Sequence, residues 1–155
     1  MRIIRPSSRE KEIIAQDRVT ELQNAGFHTT VGQTKSDPTW PFAAASIEAR
    51  ARELIDGVED SATHILWVGR GGYGASDLLP ILPWDRWKKT QPKIIVGYSD
   101  VSALHSAFFT KLGWPGLHAP MPLHESWGRE GERRDIDSTL SALRGDRKAS
   151  CRERV

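Results

Sequence analysis

Twice in this chain a short apolar run breaks off at a cluster of small residues, and a helix-period segment follows at once. Residues 64–68 enter Gly69-Arg70-Gly71-Gly72-Tyr73-Gly74 ahead of a brief helix that Pro80 and Pro83 cut short. Residues 93–96 enter Gly97-Tyr98-Ser99-Asp100, after which Val101, Leu104, Phe108 and Leu112 recur at helix spacing. Runs of four or five apolar residues between turn signals fit strands buried on both faces. A repeated strand, loop and helix is the unit of an α/β domain with a parallel sheet, which sets all-helical and all-β folds aside.

The rest of the chain fits the same plan. Residues 2–4 read as a first strand ending at Pro6-Ser7-Ser8, and Ala15, Val19 and Leu22 mark a helix that Gly26 would cap. Residues 27–31 read as a second strand, and residues 32–42, with Gly, Ser, Asp and two prolines, as a loop rather than a domain boundary. Ser46 is a candidate N-cap for a helix carrying Ile47, Ala51, Leu54 and Val58 on one face. Residues 116–118 read as a last strand, and Ile136, Leu140 and Leu143 as a final helix capped by Gly145. The expectation is a three-layer α/β fold over residues 3–145, with a mostly parallel sheet and flanking helices. Residues 146–155 are charged and aperiodic and read as a disordered or non-native tail.

At 155 residues and 38% hydrophobic, the chain can bury one ordinary core. The single cysteine, Cys151, has no internal disulfide partner, and no Cys or His cluster shows zinc-ligand spacing. A reducing compartment and no structural metal are expected. The start, Met1-Arg2-Ile3-Ile4-Arg5-Pro6, lacks the apolar stretch of a signal peptide, and no segment reads as a membrane span. A soluble, cytoplasmic protein with no membrane partner is expected. Lys and Arg number 22 against 20 Asp and Glu, but residues 146–155 hold four basic and two acidic residues, leaving the first 145 at 18 against 18. A neutral body without a basic stripe argues against a nucleic-acid partner.

In a parallel sheet both loops leave the same edge, where open α/β folds bind ligands. Gly69, Gly71 and Gly74 match the letters of a dinucleotide fingerprint. Against it stand the internal position of the strand, the short helix and the lack of an acid about twenty residues on. A turn that needs glycine for positive φ explains the same residues. The serine loop resembles a nucleophile elbow, with Gly97 two residues before Ser99, although Val101 stands where that pattern asks for glycine. The amide of Asp100 is a candidate oxyanion donor. Taken alone, Ser99 is better explained as an ordinary N-cap.

Taken together, Arg70-Gly71-Gly72-Tyr73-Gly74, Gly97-Tyr98-Ser99-Asp100 and the following Ala103-Leu104-His105 resemble the LD-carboxypeptidase family of serine peptidases. The resemblance extends to residues 4–8, the helix around residues 49–54 and His118-Ala119-Pro120. It implies a flavodoxin-like or Rossmann-like N-terminal domain. It implies hydrolysis of an amide between an L-configured centre and a D-residue in murein tetrapeptides, during peptidoglycan recycling. A sister branch hydrolyses peptide-nucleotide antibiotics.

By the same resemblance Ser99 is the nucleophile, and the oxyanion donors are backbone amides of Asp100 and of Gly71 or Gly72. The reaction is acyl transfer without metal or organic cofactor. The base is a histidine oriented by a glutamate, both from a second domain that residues 1–155 are expected to lack, so the isolated chain is expected to have little or no peptidase activity. His105, His118 and His124 are read as structural or surface residues, and Glu125 is not assigned to a triad. Trp84, Trp87 and Trp114 are read as core or interface rather than sugar platforms. Arg70 and Tyr73 are weaker candidates for binding a substrate carboxylate. Two rival readings stand beside the hydrolase: a non-catalytic module that binds nucleotide or phosphate at the glycine loop, and an interaction-only remnant whose exposed apolar surface drives homodimer formation or aggregation.

Overall fold

A computed structural model describes residues 1–10 and 15–146. Strands β1 (Arg2–Ile4), β2 (Thr30–Val31), β3 (Ile65–Val68), β4 (Ile94–Gly97) and β5 (Gly116–His118) form one sheet in the order β2-β1-β3-β4-β5. Every neighbouring pair is parallel. The expected α/β fold is present. The strands are short and apolar because both faces are covered, and successive side chains serve opposite cores.

That alternation sorts the helices into two layers. Ile4, Leu66, Val68 and Ile95 face helices α2 (Ile47–Glu59), α3 (Ala75–Leu78), α4 (Trp84–Trp87) and α5 (Ser102–Leu112), burying Leu54, Val58, Leu78, Trp87 and Phe108. Ile3, Trp67 and Val96 point the other way, toward α1 (Ala15–Asn24) and α6 (Glu130–Leu143), where Val19, Leu22, Ile136 and Leu140 complete a second core. Each fully buried Leu or Phe contributes about 1.5–3 kcal/mol by leaving water. Trp84, Trp87 and Trp114 all pack on Phe108, with ring centroids 5.2, 5.5 and 5.6 Å away. They are core residues, as read from the sequence.

The expected caps form. The Ser46 hydroxyl accepts from the Ala49 amide at 3.2 Å and starts α2. Gly26, at φ 88°, ends α1: its amide bonds the Gln23 carbonyl while Phe27 bonds that of Leu22. Gly145 closes α6 in the same way, with the Asp146 amide on the Ser141 carbonyl. The second strand is shorter than expected. Residues 27–29 lie outside it because the Phe27 amide belongs to the α1 cap, and pairing with β1 starts only at Thr30. The tail expectation for residues 147–155, including Cys151, lies outside the described residues.

Candidate active site

The chain leaves β1 to form β2 on one side and returns to form β3 on the other, so the sheet order reverses at β1 and opens a crevice at its carboxyl edge. Three loops meet there: the one after β1, the glycine loop after β3 and the serine loop after β4. The serine loop carries an unusual backbone. Tyr98 is extended, and Ser99 then turns to φ 62°, the one non-glycine residue with positive φ among the described residues. A β-carbon in that region costs roughly 1–2 kcal/mol. A 3-10 turn (Ser99–Val101) then leads into α5. The cap positions of these two helical segments, Tyr98 and Val101, carry no side-chain cap bond, so Ser99 is not an ordinary N-cap.

The glycine loop lies directly against this turn. A Cβ on Gly71 would sit 3.4 Å from the Ser99 Cβ and 3.3 Å from the Tyr98 carbonyl oxygen, so glycine is what allows the close approach. Gly72 takes φ 111°, and a Cβ there would fall 2.3 Å from the Ser8 hydroxyl. The amide of Asp100 lies in the first turn of its helix, where backbone donors have no intrahelical acceptor. Gly71, Ser99 and Asp100 thus gather around one point, and the backbone of Gly72 continues the same wall.

Side chains from distant segments hold that arrangement. The Ser8 amide donates to the Gly71 carbonyl at 3.2 Å, and its hydroxyl accepts from the Tyr73 amide at 3.0 Å and donates to the Phe42 carbonyl. Arg50, 1% exposed, donates to the carbonyls of Pro6 at 2.6 Å, Gly74 at 2.7 Å and Ala45 at 3.0 Å. The Asp100 carboxylate accepts from the Ala75 amide at 2.9 Å, tying the serine loop to the end of the glycine loop. Sequence reasoning missed Ser8 and Arg50. Arg50 had a visible signal: it falls three residues after Ile47 and one before Ala51, inside the apolar stripe of α2, where an arginine must be paired.

The histidines take different places. The His105 ring fills the space beside Gly116, where a Cβ would meet it at 2.6 Å, and burial holds its pKa below the ordinary value. His118 and His124 flank the Tyr98 ring at 5.9 Å each. His124 Nδ1 is bound to the Ser126 hydroxyl at 2.5 Å, and that hydroxyl donates to Glu132 at 2.6 Å. Arg70 is engaged with the Arg9 carbonyl at 3.1 Å, while Tyr73 is 71% exposed. Among the described residues no group of three or more His, Cys, Asp or Glu is placed to hold a metal, and no helix is long and apolar enough to cross a membrane.

The family description "LD-carboxypeptidase N-terminal domain" matches residues 1–119. The murein tetrapeptide carboxypeptidase of Pseudomonas aeruginosa is 29% identical over 119 residues, covering 77% of this chain and 38% of that protein. The microcin C7 self-immunity protein MccF of Escherichia coli is 30% identical over 118 residues, covering 74% of this chain and 34% of that protein. The crystal structure of an MccF-like protein from Bacillus anthracis superposes with a TM-score of 0.77 at 31% identity, covering 92% of this chain and 43% of the other. The chain therefore spans well under half the length of these relatives. With its parallel sheet and its match over residues 1–119, it belongs to the LD-carboxypeptidase family, in the region of that family's N-terminal domain.

Proposed function

We propose that this chain supplies the nucleophile half of a serine-type hydrolase that cleaves an amide between an L-configured centre and a D-amino acid in murein tetrapeptides. The observation that carries the reading is the left-handed Ser99 at the end of β4, backed against Gly71. A strained, exposed turn is how α/β hydrolases present a serine, and strain at a non-glycine residue persists where the surroundings impose it. In this reading the Ser99 hydroxyl adds to the scissile carbonyl carbon and its proton passes to a base. The amides of Asp100 and of Gly71 or Gly72 receive the oxyanion. Collapse breaks the C–N bond, the D-amino acid leaves as the protonated amine, and water then hydrolyses the acyl ester. The base is the family's histidine, oriented by glutamate in its second domain.

The two named relatives, a murein tetrapeptide carboxypeptidase and a microcin C7 self-immunity protein, fit the two branches that the sequence resemblance implies, one acting on murein tetrapeptides and one on peptide-nucleotide antibiotics. The helix after the glycine loop is a single turn, which favours neither phosphate nor nucleotide at that loop. The test begins with the encoding locus read past codon 145, followed by assay of the encoded protein on a murein tetrapeptide and on a peptide-nucleotide conjugate. Release of the terminal D-amino acid, lost in Ser99→Ala, supports the proposal. Cleavage of the conjugate alone moves the protein to the antibiotic branch, and nucleotide binding without hydrolysis, surviving Ser99→Ala, rejects the hydrolase.

A further inference from the structure

One peptide group of the glycine loop is gripped from both sides. The Gly74 carbonyl accepts from Arg50 Nη1 at 2.7 Å, and the N–H of the same planar unit, that of Ala75, donates to the Asp100 carboxylate at 2.9 Å. Gly74 takes φ 105°, and a Cβ there would fall 2.6 Å from that Arg50 nitrogen, so glycine serves both the bend and the close approach. Gly74 caps α3 without a side-chain bond of its own. The carboxylate that meets the first amide of that helix comes instead from the residue after Ser99.

The partners of the glycine loop divide by origin. Ser8 takes the Gly71 carbonyl and the Tyr73 amide, and Arg50 takes the Gly74 carbonyl. These bonds run to the first loop and to α2, so they fix the glycine loop without setting its distance from the serine. Among the described residues the bond from Ala75 to Asp100 is the one hydrogen bond that joins the glycine loop to the serine loop. Elsewhere the two meet by van der Waals contact, as where Gly71 backs on Ser99. An oxyanion shared between an amide of each loop needs their spacing held to about 0.5 Å.

We infer that the Asp100 carboxylate is a positioning group: through the Gly74–Ala75 peptide it holds the glycine-loop amides at the spacing from its own amide that an oxyanion requires. Its effect on rate rests on the hydrolase reading; the coupling of the two loops does not. Asp100→Ala and Asp100→Asn both keep the backbone amide, so they isolate the side chain, and asparagine keeps an oxygen that can accept from Ala75. Residual dipolar couplings measured on the full chain report the direction of each N–H. In Asp100→Ala those of Gly71, Gly72 and Ala75 should change relative to those of α5, and Asp100→Asn should restore them. In the protein carrying the complete site, Asp100→Ala should lower kcat between about ten- and a hundredfold with KM within about twofold, and Asp100→Asn should recover most of that loss. Asp100→Glu, which keeps the charge but moves the oxygen, should be slower than Asp100→Asn, a comparison that stands even where Asp100→Ala does not fold. Unchanged couplings in Asp100→Ala, an unchanged kcat, or a faster Asp100→Glu than Asp100→Asn overturns the inference. Couplings that change in a protein releasing no D-amino acid break the hydrolase reading alone, and hydrolysis with unchanged couplings breaks this one alone.

Discussion

The glycine loop and the serine loop leave neighbouring strands at the same edge of the sheet, and both require positive φ, yet they meet the requirement differently. The glycine loop uses Gly72 and Gly74, which adopt such angles without steric penalty, and distant side chains then lock it in place. The serine loop keeps a β-carbon at the corresponding bend and accepts the strain at Ser99. The glycine loop reaches its shape without steric cost and is held by its neighbours; the serine loop bears a local cost at Ser99, which under the proposed function is kept for its hydroxyl.

The largest expected effect falls on the serine loop. In the protein carrying the complete site, Ser99→Ala should lower hydrolysis on the order of 10⁴-fold or more, measured as D-amino acid release, with the fold retained by circular dichroism. The glycine loop should respond in stability instead. Arg50→Leu strands three loop carbonyls and should cost about 3 kcal/mol in chemical denaturation, with Arg50→Lys recovering part of it. Equal losses of stability from Ser99→Ala and Arg50→Leu would erase the distinction between the loops.

Gly71→Ala probes the contact between them. The added methyl meets Met121 Cε at 3.2 Å and the Tyr98 carbonyl at 3.3 Å, so one loop must yield, at about 1–2 kcal/mol in thermal unfolding. The smallest effect concerns Glu53, buried beside Arg5 at the end of β1, whose ion pair measures 3.7 Å. Burial raises its carboxyl pKa above the ordinary 4.5. The folded state then binds this proton more tightly than the unfolded chain, so the group's contribution declines as pH rises above about 4.5 and levels off beyond the raised value. Glu53→Gln should remove that decline, seen as a flatter stability curve from pH 4.5 upward.

Much of the scaffold was legible in the sequence because it depends on local pattern. The apolar runs before residues 69 and 97, the 47, 51, 54 and 58 stripe, and the glycines at 26 and 145 each state their role within a few neighbours. The second strand was overread because the Phe27 amide is taken by a helix cap, a competition that β-propensity does not reveal. The fastening of the site was not legible. Ser8 reaches residues 34 and 65 positions away and leaves no periodic trace; Arg50 shows by its place in the α2 stripe that it must be paired, but not that its partners lie 24 and 44 positions away. The backbone of Ser99 was hidden for the same reason: its angle is imposed by β4, α5 and the facing glycine loop together.

The measurement closest to the central claim is the difference in unfolding free energy between Ser99→Gly and Ser99→Ala. Both remove the hydroxyl, but only glycine removes the β-carbon from a left-handed bend. A serine held in strain for its chemistry predicts that Ser99→Gly is the more stable of the two by about 0.5–1 kcal/mol, after the larger entropy of glycine in the unfolded chain is counted. Equal stability, or a less stable glycine variant, would mean that the turn carries no such strain and would contradict the reading of Ser99 as a presented nucleophile.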